Sequence, residues 1–241
     1  MVKIIAIEGN IGSGKSTFLE QLTQYYKNNN NILFLMEPVN EWEQIKDENN
    51  NTILEKFYNN QEKYSFSFQI MAYISRLALL KNAVEQSTNS NLIIITERSL
   101  YTDKYVFAKM LYDTNKIEKI NYDIYLKWFD TFVNDYPIEN VIYINTSSEV
   151  CFDRIIKRSR NGESNISLDY LIMCDKYHTS MIDNYDKKNV LNLNGNNDIY
   201  IYPYILNNWI QLVNITIEKL QPQNFKKKND NWSNDAYIPN I

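Results

Sequence analysis

The tightest constraint on the fold is the run Gly9-Asn-Ile-Gly-Ser-Gly-Lys15-Ser16, which directly follows the apolar stretch Lys3–Glu8. It fits G-x-x-x-x-G-K-[ST], and such a run belongs between a strand and a helix. Its glycines let the backbone curl until several N–H groups point inward at phosphate oxygens. A helix starting at Lys15 adds its positive N-terminal end. Lys15 would reach the β- and γ-phosphates, and Ser16 would ligate Mg²⁺. The chain has only five glycines, and three of them stand in this run, so a plain connecting turn is a poor explanation.

The rest of the pattern suits that motif. Lys3–Glu8, Ile32–Met36, Leu92–Thr96 and Val141–Asn145 are short runs rich in β-branched residues, with a weaker one at Val190–Leu193. Continuous apolarity marks strands buried on both faces of a parallel sheet. Helical periodicity fills 15–28, 62–87, 101–113, 121–135, 147–160, 167–185 and 203–220. Alternating strands and helices predict an α/β, doubly wound, five-stranded parallel sheet of the P-loop NTPase type. Such sheets bind ligands beyond the carboxyl ends of their strands. No repeat or Pro/Gly-rich linker divides residues 1–220, which read as one domain. From residue 221 the composition turns polar and lysine-rich, as expected of a mobile tail.

Composition removes several classes. A net charge of −4 and a pI near 5.2 argue against a broad nucleic-acid surface. The two cysteines, Cys151 and Cys174, supply neither a disulfide framework nor metal-ligand spacing. The short apolar N-terminal run lacks a signal-peptide pattern, and no stretch approaches the ~20 apolar residues of a membrane span. The expectation is a soluble, cytoplasmic protein with no membrane or nucleic-acid partner.

Polar residues cluster where the strands are predicted to end. Glu37-Pro38-Val39 follows the second strand, with Trp42 next, and a carboxylate there would face the phosphate crevice. It could take a proton from an attacking hydroxyl. Glu97-Arg98-Ser99 follows the third strand. Glu97 stands where an acid would hold Mg²⁺, and Arg98 could hold either the base or a phosphate. Arg154 and Arg158 lie four apart on one helical face, and Arg160 follows near Asn161-Gly162, where the helix should stop. Arginines on a mobile segment suit a lid that excludes water and stabilises charge on a moving phosphoryl group.

Five strings appear in one order: I-E-G-N-I-G-S-G-K-S-T, E-P-V-N-E-W, Y-S-F-S-F-Q-I-M-A-Y-I-S-R, E-R-S-L-Y-T-D-K-Y-V-F-A and D-R-I-I-K-R-S-R. In order and spacing they resemble the deoxynucleoside kinases, the deoxycytidine, deoxyguanosine and deoxyadenosine kinase group, over roughly residues 3–220. The resemblance implies transfer of the ATP γ-phosphoryl group to a deoxynucleoside 5′-hydroxyl, in nucleotide salvage. It makes Glu37 the general base, with Arg98 beside it, and Lys15 and Arg158 charge-neutralising groups. It gives the donor to Gly9, Asn10, Ile11, Gly12, Ser13, Gly14, Lys15, Ser16 and Thr17, with Arg154, Arg158 and Arg160, and the metal to Ser16 and Glu97. Gln69 would read the base between Phe68 and Phe107, with Trp42 in the same pocket and Tyr58 at the sugar 3′-hydroxyl. An amide offers both a donor and an acceptor to an adenine or cytosine edge.

Ala72, Arg76 and Asp103 match the trio of the deoxycytidine and purine deoxynucleoside kinases. A paired Arg–Asp favours an exocyclic amine or a purine and leaves little room for a thymine methyl. One position departs from the family: Thr179, after His178, aligns with a glutamate that helps hold the 3′-hydroxyl, which leaves open weaker sugar binding, a local slip of the alignment with Asp175 one turn away, or tolerance of altered sugars. His178 itself reads as a structural histidine. The resemblance also implies a homodimer built from the 62–87 and 121–135 helices. Three rivals have less support. A nucleoside monophosphate kinase would not want a carboxylate at position 37. An ATP-driven switch or nucleic-acid motor fits the acidic pI poorly, and only Thr179 favours a degenerate binding subunit.

Overall fold

A computed structural model of the chain describes residues 2–138, 140–160 and 162–220; the tail expected from residue 221 lies outside the described residues. Five strands, β1 (Lys3–Glu8), β2 (Ile32–Leu35), β3 (Ile93–Glu97), β4 (Asn140–Asn145) and β5 (Val190–Asn194), form one sheet in the order β2-β3-β1-β4-β5. Every pairing is parallel. The α/β parallel architecture expected from the sequence is therefore present, with strand edges displaced by a residue or two.

Alternation along the strands explains why the apolar runs are continuous. Ile5, Ile7, Ile93, Ile95, Ile142 and Ile144 face one core, shared with Phe18, Leu19 and Leu22 of α1 (Lys15–Tyr25). Ile4, Ala6, Ile94, Val141 and Tyr143 face the other. That second core is closed by α4 (Gln61–Glu85) and α7 (Lys119–Phe132), through Tyr73, Leu80, Tyr125 and Phe129. Successive side chains in a strand point to opposite faces, so a strand covered on both sides must be apolar at every position.

Two helices had no counterpart in the periodicity: α2 (Val39–Trp42) and α3 (Ile53–Asn59). Both are too short to show a clear apolar stripe. Their local signals exist nonetheless. Thr52 and Glu55 make a reciprocal capping box at the start of α3, and the Asn60 side chain accepts from Lys63 N–H to begin α4. The region read as one helix over 101–113 is three pieces: α5 (Leu100–Thr102), a π-helical turn Asp103–Ala108, and α6 (Lys109–Asp113). The remaining helices are α8 (Ser148–Arg158), α9 (Leu168–Asp183) and α10 (Pro203–Leu220). Among the described residues no helix is long and apolar enough to cross a membrane.

Ile94 is fully buried in the central part of the sheet. Ile94→Ala should lower stability by about 2–5 kcal/mol in urea unfolding. Thr52→Ala, which removes only a cap, should cost about 1 kcal/mol.

Candidate active site

The strands run in parallel, so their carboxyl ends meet on one side, and a cavity of about 450 Å³ opens there. That volume lies in the range of small-molecule sites. Ile11 through Thr17 line one end and Phe68, Gln69 and Ala72 the other, with Glu37, Glu97 and Arg98 between them.

The glycine run wraps as its sequence requires. Gly12 has a φ of +79°, and a Cβ there would stand 2.6 Å from the Cys151 carbonyl oxygen. Gly14 caps α1 at a φ of +100°. A side chain at Gly12 would meet rigid backbone as well as strain. Lys15 is buried, and its Nζ donates to the Asn10 carbonyl at 2.7 Å. Burial, then the Arg98 charge, lowers its pKa to about 8. Ser16 Oγ donates to Glu97 Oε1 at 2.6 Å, which places two hard oxygen donors side by side at the mouth of the cradle. Among the described residues no group of three or more His, Cys, Asp or Glu gathers to hold a metal. Mg²⁺ binds through one or two protein oxygens plus phosphates, and Ser16 Oγ and Glu97 Oε1 are oxygens of that kind. The Asn10 side chain departs from its expected role. It turns away from the cavity and donates from Nδ2 to Leu171 O at 2.9 Å, tying the loop to α9.

Glu37 sits at the junction of the two ends. Its Oε1 accepts from Arg76 Nη2 at 3.0 Å and pairs with Arg98 Nε at 3.1 Å. Burial opposes its charge, but Arg98, Arg76 and Lys15 outweigh that and hold the pKa down at about 2. Arg76 is 2% exposed and also bonds Asp103 Oδ2 through Nε at 3.0 Å and the Glu97 carbonyl through Nη1 at 2.7 Å. The Arg76–Asp103 pair is therefore present as expected, and Arg76 adds a link to Glu37 that the sequence did not reveal. Arg98 adopts a left-handed backbone with φ 62°, a conformation costing an ordinary residue about 1–2 kcal/mol. Its N–H donates to Ile7 O at 2.9 Å and its Nη1 to Gly9 O at 3.0 Å.

Phe68, Gln69, Ala72 and Arg76 project from one face of α4 into the cavity. Phe68 stacks on Phe57 at 4.7 Å between centroids and meets Trp42 edge-on at 5.3 Å. Trp42 Nε1 donates to Ser75 Oγ at 2.9 Å. The Gln69 carbonyl oxygen is buried with no hydrogen-bond partner among the described residues. A buried unpaired acceptor is costly, so it marks a place for a donor from outside. Asp103 and Phe107 both reach the cavity from the π-helical turn, where bonding i→i+5 widens the spacing.

Several lining residues escaped the sequence reading. Phe57 is one, carried on the unrecognised α3. Gly195 and the 197–200 segment after β5 form the far wall with Trp209. A glycine at a strand end in a glycine-poor chain was the available signal. Buried Glu8 accepts from Ser99 Oγ at 2.6 Å and from Thr102 Oγ1, anchoring the loop that carries Arg98.

The arginine cluster lines the cavity, and the expected position of the acid needs correcting. Arg154 donates to Ser13 O and Asn197 O, both at 3.3 Å, bridging the glycine run to the loop after β5. Arg158 and Arg160 both pair with Glu163, which is 5% exposed and lines the cavity. Burial, then the Glu163 charge, raises the pKa of the nearby Tyr58 phenol far above its usual value. Thr179 is exposed and is not among the residues lining the cavity. The carboxylate beside Tyr58 is thus Glu163, in the turn before α9, and the expected loss of an acid at Thr179 does not hold.

The Glu37 pKa carries a linkage with a definite sign. A carboxyl held near 2 when folded stabilises the fold above its unfolded value of about 4.5. That stability is lost as pH falls from about 4.5 towards 2. Glu37→Gln should cost on the order of 3 kcal/mol in urea unfolding at pH 7, because Arg98 loses its counter-ion and Arg76 keeps only Asp103. The gap between variant and wild type should narrow below pH 4.5.

Comparison with known proteins fits this geometry. A family model described as deoxynucleoside kinase matches residues 5–218. A probable deoxycytidine kinase of fowlpox virus is 33% identical over 203 residues, covering 81% of this chain and 80% of that protein. Human deoxycytidine kinase is 32% identical over 201 residues, 75% of each chain. The mitochondrial deoxyguanosine kinase of Xenopus laevis is 27% identical over 197 residues, 75% of this chain and 73% of its own. The match runs through both ends of the cavity, and the chain belongs to the deoxynucleoside kinase family, whose members are ATP-dependent phosphotransferases.

Proposed function

We propose that this chain phosphorylates the 5′-hydroxyl of deoxyadenosine, deoxyguanosine or deoxycytidine in preference to thymidine, using ATP with Mg²⁺, in nucleotide salvage. The observation that carries the reading is Glu37, gripped by Arg76 and Arg98 where the phosphate cradle meets the aromatic slot.

The nucleoside enters the slot between Phe68 and Phe107, where stacking contributes roughly 1–3 kcal/mol per base. Gln69 meets the base edge with its unpaired carbonyl oxygen and its amide. The ordered Arg76–Asp103 pair fills the side of the slot where a thymine methyl would fall. Tyr58 and Glu163 face the sugar, and Glu163 takes over the acceptor role expected of an acid at position 179. Because Arg158 and Arg160 hold Glu163, substrate recognition and lid position share one cluster. The glycine-run N–H groups, Lys15 and Thr17 hold the donor phosphates, with Arg154 on the flank. Ser16 and Glu97 would hold Mg²⁺, whose charge offsets that of the phosphates.

The 5′-oxygen attacks the γ-phosphorus, the bond from that phosphorus to the β–γ bridging oxygen breaks, and the hydroxyl proton passes to Glu37. A carboxylate with a pKa near 2 is a weak base. It suffices because phosphoryl transfer through a loose transition state leaves the proton in place until late. Glu37 chiefly orients the hydroxyl, while Lys15, Arg98 and Arg158 neutralise charge on the moving group.

The reading includes one domain over residues 1–220, a cytoplasmic location and a homodimer. Ile120, Ile124 and Trp128 recur every four residues on α7 and are exposed beside Ile74 of α4, which supports a second copy docking there. Trp128→Glu should halve the mass seen by light scattering.

Three experiments test the chemistry. With ATP and Mg²⁺, the four deoxynucleosides and their monophosphates should separate into turnover on deoxyadenosine, deoxyguanosine or deoxycytidine and little on the rest. Turnover confined to monophosphates would refute the acceptor assignment. Glu37→Gln should lose about 10²- to 10⁴-fold in kcat while nucleoside Kd changes little. Glu163→Gln should raise KM for a deoxynucleoside about 10- to 100-fold and raise it less for a 3′-deoxy analogue.

A further inference from the structure

His178 is the only histidine in the chain, and it is completely buried on α9. Its Nδ1 lies 2.9 Å from the carbonyl oxygen of Cys174, one helical turn back. A carbonyl can only accept, so Nδ1 carries the proton. In the neutral ring Nε2 then holds a lone pair. It lies 3.3 Å from Arg98 Nη1, which can only donate. The partners on both sides therefore select one tautomer.

The same contact orients Arg98. Its guanidinium sits over the Phe107 ring at 5.0 Å, and the His178 ring meets Phe107 edge-on at 6.1 Å. Nη1 is shared between His178 and Gly9 O, and Nε is committed to Glu37. Nη2 has no hydrogen-bond partner among the described residues, and Arg98 lines the cavity. The imidazole thus helps close off one edge of the guanidinium and leaves another for an incoming group. Burial, then the charge of Arg98, holds the histidine pKa well below its usual value, in keeping with a neutral ring.

We propose that His178, as the neutral Nδ1–H tautomer, is a positioning residue. Its Nε2 accepts from Arg98 Nη1 and holds the guanidinium in one orientation towards Glu37 and the transferring phosphoryl group. The inference rests on Arg98 serving the transition state as described above. His178 touches no reacting atom, so its loss should appear in kcat and not in binding.

The test uses three substitutions that separate the two ring nitrogens. His178→Asn keeps a donor near Cys174 O and places nothing near Arg98. His178→Phe keeps the ring without either nitrogen. His178→Gln can bring an amide oxygen close to the Nε2 position. Asn and Phe should lower kcat about 10- to 100-fold, the scale of a small misplacement in an active site, with KM for both substrates nearly unchanged. Gln should recover most of the loss. Folded Asn or Phe variants with wild-type kcat, or Gln performing no better than Asn, would overturn the proposal.

Should the variants not fold, ¹⁵N NMR of the full wild-type chain decides the matter, since one histidine gives one pair of ring signals. Nδ1 protonated and Nε2 bare at pH 7 supports the assignment, and a protonated Nε2 refutes it. Arg98→Lys separates the two levels. Normal turnover in that variant removes the role of Arg98 and this inference together. A damaged Arg98→Lys beside normal His178→Asn and His178→Phe removes this inference alone.

Discussion

The parallel register of β1 with β3 is what the catalytic end of the molecule hangs from. It sets Ile7 opposite Glu97, and the Arg98 N–H then donates to Ile7 O at 2.9 Å. Glu8 and Gly9 leave one strand as Glu97 and Arg98 leave the next. Glu8 takes Ser99 and Thr102, Arg98 reaches Gly9 O, and Ser16 reaches Glu97. A slip of one residue would turn each of these side chains to the opposite face of the sheet. The two apolar cores forbid the slip, because it would exchange the residues facing α1 with those facing α4. Hydrophobic alternation along the strands thus aligns the polar groups that follow their carboxyl ends.

At that site the electrostatics run against solvation. Arg76, Arg98, Lys15 and Asp103 are withdrawn from water around the half-buried Glu37, and each alone would be costly to bury. The network answers by pairing Arg76 and Arg98 with Glu37, Arg76 with Asp103, and Lys15 with the Asn10 carbonyl. Arg76 is the hinge of it, since the guanidinium that pairs with Asp103 also grips Glu37. A change at Asp103 therefore reaches Glu37 through one residue. Neighbours coupled this closely should not behave additively on substitution.

Much of the fold was legible because its signals are local and repeated. Continuous β-branched runs named the strands, and the glycine run named the first turn. Lys15, Ser16, Glu37, Glu97, Arg98, Gln69 and Arg76 all meet around one cavity. The misses share a cause. Helices α2 and α3 have four and seven residues, too few turns to show an apolar stripe, and α3 carries Phe57. The π-helical turn has no periodic signature distinct from an ordinary helix, yet it decides that both Asp103 and Phe107 face inward. Position 179 lies in a long regular helix and looked easy to align. The acid that enters the cavity is Glu163, in a short irregular turn where position in sequence says little about position in space.

The sequence by itself determined the parallel α/β sheet, the phosphate cradle and the identity of the acids and arginines at the strand ends. Each follows from side-chain period, backbone sterics or charge, which act over a few neighbouring residues. Only the tertiary structure decided which of those groups touch. Glu37 joins Arg76 from 39 residues away, Arg98 meets His178 from 80 residues away, and Asn10 turns from the cradle to Leu171 across 161 residues. Such pairings depend on how sheet and helices close around two cores, and no local rule carries that information along the chain.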